Sequence, residues 1–232
     1  MSSEQDLRVT KTLTFIRNSF IELMDEKGFR NLTVNDIADK AMISRSTFYL
    51  HYADKYELLN KVTDEAILSI LNLVEPEEHI VHGSLNYDGF RENLNAIFHS
   101  IEKDSLLYKL ILNDNEHLGL CRKCEDVLKT RLEESFEGEI QVSRDLFFEL
   151  MASFYISMAR WWLNHDMKYS PSFLAKEMVN FLTVVPCNLI GITTEDSSPS
   201  NISTQAAGDK TGMYGRTKTQ NRTADKMVID SK

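Results

Sequence analysis

The segment Thr33–Lys55, T-V-N-D-I-A-D-K-A-M-I-S-R-S-T-F-Y-L-H-Y-A-D-K, limits the fold more than any other part of the chain. It predicts two short helices joined by a tight turn, followed by a third, capped helix. Thr33 is a cap for the first, on which Val34, Ile37, Ala38 and Ala41 form one apolar face. Ser44 is a cap for the second, which exposes Arg45, Ser46, Thr47, Tyr49 and His51 while Phe48 and Tyr52 turn back toward the apolar face. A short, donor-rich helix held rigidly on another is the geometry that places side chains in the major groove of DNA.

The rest of the chain extends this helical pattern. Its 232 residues are 42% hydrophobic, enough for one domain of ordinary size plus a small one, and they contain only 9 glycines and 4 prolines. Val9–Lys27 reads as a first helix with Leu13, Ile16, Phe20 and Met24 inward and Gly28 as terminator. After Asp54, a further cap, Leu58, Leu59, Val62, Ala66, Ile67, Ile70 and Leu73 predict a long linking helix that ends before Pro76, and Glu75–Gly83 reads as a polar break. Beyond it, helices are expected around Phe90–Ile101, Leu106–Leu112, His117–Phe136 and Val142–Asn164, with a last one starting at Ser170 or Pro171. The fold class expected is all-α, divided as a head at 7–55, a larger helical domain at 56–192 and a tail at 193–232. The tail is rich in serine, threonine, asparagine and glycine, its six basic residues nearly balance five acidic ones, and it is expected to be disordered.

Charge and cysteine content narrow the function classes. The net charge of -9 is a whole-chain sum, whereas nucleic-acid binding depends on the local field. From Leu7 to Ile21 the only charged residues are Arg8, Lys11 and Arg17, all positive, and the acids gather later, as at Glu133, Glu134, Glu137 and Glu139. The polar start and the lack of a long apolar run support neither secretion nor membrane insertion, and with 3 cysteines a cytoplasmic setting is expected. No glycine loop for phosphate, nucleophile elbow or metal-protease helix is present, so neither catalytic residues nor a cofactor are expected.

The head resembles the DNA-binding domain of the TetR family of bacterial transcription regulators. The likeness is carried by Phe15 through Gly28-Phe29, Thr33 with Asp36-Ile37-Ala38, Ser44, Thr47-Phe48-Tyr49, His51-Tyr52, Lys55 and Leu58-Leu59. It covers roughly Val9 to Leu59. Met42 and Ser46 stand where that family usually has glycine, and a left-handed Met42 would cost on the order of 1 kcal/mol. Farther on, Arg160-Trp161-Trp162-Leu163 followed by Met167-Lys168-Tyr169-Ser170-Pro171 is similar to the regulatory domain of one low-GC Gram-positive branch. That resemblance implies a homodimer paired through the last two long helices, Val142–Asn164 and Pro171–Thr183, and accounts for the wide apolar arc of the former. It also implies a pocket for a small-molecule effector, for which Phe98, Tyr108, Phe148, Met151 and Tyr155 are the candidates, although each taken singly reads first as core.

For DNA, Arg45 is the candidate for direct base contact because a guanidinium bonds both acceptors of a guanine edge, and Ser46 is a weaker reader of several bases. The resemblance gives Thr47, Tyr49, His51 and Lys55 to phosphates, and Thr33 offers a phosphate site at a helix N-terminus. His117, Cys121 and Cys124 are spaced to share one helix face, a soft-metal or redox arrangement, but the same stripe continues through Leu128 and Leu132 as ordinary core. The function expected is a sequence-specific regulator of transcription, a homodimeric repressor on a pseudo-palindromic operator. The alternatives are a TetR-like coactivator that binds a partner protein and a helical enzyme with a fortuitous motif.

Overall fold

Side-chain caps start the short helices where the sequence places them. The computed structural model describes residues 2–74, 80–81, 84–136 and 138–184, among which there are nine helices. They are α1 (Ser2–Lys27), α2 (Val34–Lys40), α3 (Arg45–Tyr49), α4 (Lys55–Leu71), α5 (Tyr87–Lys103), α6 (Ser105–Asn113), α7 (Leu120–Glu134), α8 (Arg144–Asn164) and α9 (Pro171–Val184). The all-α class holds. The one addition is a minimal hairpin within the expected polar break, where Ile80 pairs with Leu85 and Val81 with Ser84. The tail expected to be disordered lies outside the described residues.

In the first four helices, Ile16, Phe20, Leu32, Ile37, Phe48, Leu58 and Val62 are buried together, so the predicted inward stripes meet in one core. α1 stops at Gly28, whose φ of 78° is left-handed and whose N–H reaches back to the Met24 carbonyl at 3.0 Å. It starts earlier than the apolar periodicity indicates, because the polar residues before Val9 continue the helix. α4 ends at Leu71, short of Leu73 and Pro76.

The remaining helices pack α5 against α9 and α7 against α8. Trp162 is fully buried; it stands edge-on to Phe98 at 5.4 Å and donates its indole N–H to the Tyr169 carbonyl at 2.8 Å, which satisfies the polar atom of the largest core side chain. α7 begins at Leu120, three residues later than the sequence reading. The Asp114 carboxylate accepts the N–H groups of Leu118, Gly119 and Leu120 at 2.7, 2.8 and 3.0 Å, and Asp114, His117 and Gly119 all have positive φ, so the chain turns a corner there instead of continuing the helix.

Two joints tie the head to the rest. α4 meets α6 and α7, with the Tyr108 hydroxyl donating to the Ala66 carbonyl at 3.0 Å and Lys123 pairing with Asp64 at 2.5 Å. α1 and the loop after it meet the start and end of α6. Arg17 pairs with Asp104 there. The Arg30 N–H donates to Glu116 Oε2 at 2.9 Å, and its guanidinium to the Glu116 carbonyl at 3.1 Å.

Candidate nucleic-acid interface

α2 and α3 are fixed relative to each other by local bonding. Thr33 and Asp36 form a reciprocal capping box: Asp36 N–H donates to Thr33 Oγ1 at 3.2 Å and Thr33 N–H to Asp36 Oδ2 at 2.8 Å. Lys27 adds an ion pair to Asp36 at 2.7 Å. The bond from Lys27, then those from Thr33, hold the Asp36 carboxyl at about 2, below its usual 3.8. At the other end of α2, Met42 N–H reaches the Asp39 carbonyl at 3.1 Å and Ile43 N–H the Ala38 carbonyl at 3.0 Å. This doubly bonded ending needs a left-handed residue at Met42, and its φ is 54°. Methionine therefore takes the backbone position for which glycine is suited.

α3 starts on Ser44, whose hydroxyl accepts Thr47 N–H at 3.1 Å and lies 2.7 Å from Ser46 Oγ and 2.8 Å from Thr47 Oγ1. Phe48 is fully buried and Tyr52 nearly so, which fixes the helix's rotation about its own axis. Arg45, Ser46 and Tyr49 consequently face outward, with His51 and Thr47 half-buried at the flanks. Of the residues expected to contact DNA, Arg45, Ser46, Thr47 and Tyr49 lie on α3 and His51 two residues past its end. Leu50 stands outward beside them, a position that its apolar character alone does not indicate.

Thr33 and Lys55 are placed differently. Both the hydroxyl and the backbone N–H of Thr33 donate to Asp36 Oδ2, at 2.6 and 2.8 Å. The Lys55 ammonium donates to the carbonyls of Phe29, Leu32 and Arg30 at 2.9, 2.7 and 3.3 Å, and sits over the Phe29 ring at 4.6 Å. An ammonium has three protons, so all are engaged in closing the loop between α1 and α2. Arg17, counted with the basic N-terminal charges, is paired with Asp104.

Residues 20–62 match the family described as "Bacterial regulatory proteins, tetR family", and residues 88–184 match "Transcriptional regulator C-terminal region". The chain belongs to the TetR family of transcription regulators. This TetR-family chain is 27% identical over 186 residues to the HTH-type transcriptional regulator YxbF of Bacillus subtilis, an alignment covering 77% of this chain and 46% of YxbF, so it spans about half that relative's length. It is 24% identical to the HTH-type transcriptional activator FasR of Mycolicibacterium smegmatis, over 69% of this chain and 76% of FasR. The crystal structure of a TetR transcriptional regulator from Streptococcus agalactiae 2603V superposes with a TM-score of 0.55 at 25% identity, covering 78% of this chain and 99% of that one.

Two further features of the TetR-family chain concern the other candidates. A cavity of about 80 Å³ lies between α4, α5, α6, α7, α8 and α9, with Ala66, Ile70, Leu94, Ile97 and Met178 in its wall. Phe98, Tyr108 and Tyr155 line it; Phe148 and Met151 do not. Phe148 is instead packed edge-on between Phe147 and Phe136, with Arg144 above its ring. The cavity is well below the roughly 300 Å³ of an ordinary ligand site. Burial pushes the Tyr108 and Tyr155 hydroxyls up from their usual range.

His117, with φ 55°, precedes α7 and is exposed, so it does not share a helix face with Cys121 and Cys124. Arg160 donates to Cys121 Sγ at 2.8 Å, yet burial outweighs it and raises this thiol, while Cys124 is pushed up to about 12. Thiols held protonated in this way have little nucleophilic or metal-binding character.

Proposed function

We propose that the chain is a repressor of the TetR type that acts as a homodimer, each protomer laying α3 in the major groove at one half of a pseudo-palindromic operator. The observation that carries this reading is the outward face of α3, with Arg45, Ser46 and Tyr49 held on a frame capped at Thr33, Ser44 and Asp54. Rigid placement lowers the ordering cost of binding and fixes which bases each side chain meets. Arg45 takes base edges, Ser46 assists, and Thr47, Tyr49 and His51 take phosphates. Thr33 and Lys55 contribute by shaping the frame that their bonds already close.

Pairing of protomers is assigned to α8 and α9. Leu146, Leu150, Phe154 and Trp161 follow one another along one side of α8. Phe154 stacks on Phe181 of α9 at 4.7 Å, and Trp161 on Tyr169, which stacks on Phe173. Leu150 and Phe181 are 57% and 61% exposed in the single chain, so the two helices present a continuous apolar surface of the kind that a symmetrical partner covers. The small-molecule effector is assigned to the cavity at Phe98, Tyr108 and Tyr155, which it must enlarge to enter. Release from DNA then requires that it bind unequally to the two states. The reading places the protein in the cytoplasm and assigns it no catalytic step; no described helix is long and apolar enough to cross a membrane.

A second reading, activation of transcription, is favoured by the similarity to FasR, which is named an activator. Genome-wide capture of bound DNA, followed by retardation of the captured fragment with the native protein and Arg45→Ala, tests the proposal. The native protein should bind with strong salt dependence, and Arg45→Ala should lose about 1 to 3 kcal/mol of discrimination at one base pair per half-site. Absence of any captured site defeats the DNA reading. Transcript levels of the adjacent gene after deletion separate repression, where they rise, from activation, where they fall.

A further inference from the structure

Leu50 is an apolar side chain that the fold leaves in solvent while fixing its direction. It is 81% exposed. Its backbone is helical, with φ -71° and ψ -22°, and its N–H bonds to the Ser46 and Thr47 carbonyls at 3.1 and 3.3 Å. Leu50 therefore continues the helical path of α3 one residue beyond Tyr49, and stands one turn along from Ser46 on the same outward side. Phe48 and Tyr52, buried on the opposite side, prevent the helix from rolling Leu50 inward. Met42, the other strongly exposed apolar residue of the motif, stands on the left-handed turn before α3 and not on the outward face of that helix. The ordinary helical backbone at position 50 makes no demand for a leucine.

A surface that faces duplex DNA offers leucine one partner. Among the groups that base pairs present in the major groove, the C5-methyl of thymine is the apolar one. We propose that Leu50 is a specificity-determining residue that packs on a thymine methyl, on the same face from which Arg45 and Ser46 read their bases. This rests on the DNA-binding reading above and adds to it a preference for A·T at a defined position. Because the contact is with a methyl group, it discriminates thymine from uracil, which differ in that group alone. Hydrogen bonding by a polar neighbour such as Ser46 would not make that distinction.

The test uses the captured operator with deoxyuridine substituted for thymine one position at a time, bound by the native protein and by Leu50→Ala. At one thymine in each half-site, removing the methyl should weaken the native protein about fourfold, the effect of one buried methyl-sized group. Leu50→Ala should bind the thymine operator more weakly and lose no more than a small further factor at that position. Any effect of uracil on the duplex itself persists in Leu50→Ala and cancels from the comparison. The substitution removes side-chain atoms that are in solvent, so thermal unfolding should be unchanged and the variant remains interpretable. If no thymine shows a loss that depends on Leu50, the inference is overturned while DNA binding stands. If the native protein binds no thymine operator either, both fall together.

Discussion

Replacing Gly28 with alanine probes the backbone and the joint between the head and the rest of the chain at once. Gly28 has φ +78°, and a Cβ built there would lie 2.3 Å from Glu116 Oε1. The left-handed conformation costs a non-glycine residue on the order of 1 kcal/mol, less a few tenths recovered because alanine restricts the unfolded chain. Direct overlap adds little, since the carboxylate is the end of a side chain that can swing away. Swinging away, however, breaks the bond from Arg30 N–H to Glu116 Oε2, now 2.9 Å. Such a bond to a charged acceptor in a solvent-accessible place contributes about 1 kcal/mol. The sum is about 2 kcal/mol, a fall of roughly 4 to 8 °C in Tm for a chain of this length.

A double-mutant cycle isolates the two parts. Thermal or denaturant unfolding is measured at one protein concentration for the native chain, Gly28→Ala, Glu116→Ala and the pair. In the Glu116→Ala background, Gly28→Ala should cost only its backbone share, about 1 kcal/mol or less. An equal cost in both backgrounds would show that the carboxylate does not sit against Gly28. A stabilising Gly28→Ala would show that its φ is not positive, and the reasoning would fail at its first step.

Three other outcomes follow from the same geometry. Met42→Gly should raise stability by about 1 kcal/mol by relieving the left-handed methionine, read as a Tm about 2 to 4 °C higher; a lower Tm would contradict the assigned turn. Asp36 has a folded value of about 2 against 3.8 unpaired, so its stabilisation is complete above about pH 5 and is lost as pH falls through 2. Unfolding measured from pH 5 to pH 2 should therefore show a steeper decline for the native chain than for Asp36→Asn, and parallel curves would remove the capping box from the account. Phe181→Asp should convert a dimer to a folded monomer by light scattering while helicity by circular dichroism is kept; a persistent dimer would move the interface elsewhere.

The features legible in the sequence were those whose partners lie within one helical turn. Thr33, Ser44 and Asp54 cap as their spacing indicated, and Gly28 ends α1, because each acts on backbone groups two to four residues away. The start of α7 is also encoded locally, in Asp114 and Gly119, but the apolar stripe through Cys121, Cys124 and Leu128 is equally compatible with a helix that begins at His117. What periodicity does not register is the pairing of Arg17 with Asp104 and of Arg30 with Glu116, 87 and 86 residues apart. Those partners removed Arg17 from the count of free positive charge. Lys55 likewise looked like an exposed cation because the three carbonyls it serves belong to a loop more than twenty residues earlier. The effector candidates divided for a related reason: aromatic character alone does not tell Tyr155, on the cavity wall, from Phe148, packed among other rings.

The corner at Asp114 is wound around its own carboxylate, with successive N–H groups from Leu118 to Leu120 gathered on one side chain. A bend tied in this way behaves like a knuckle. Glu116 lies two residues past that carboxylate and accepts both the N–H and the guanidinium of Arg30 through its side chain and carbonyl, so the same corner anchors the loop that leads into α2.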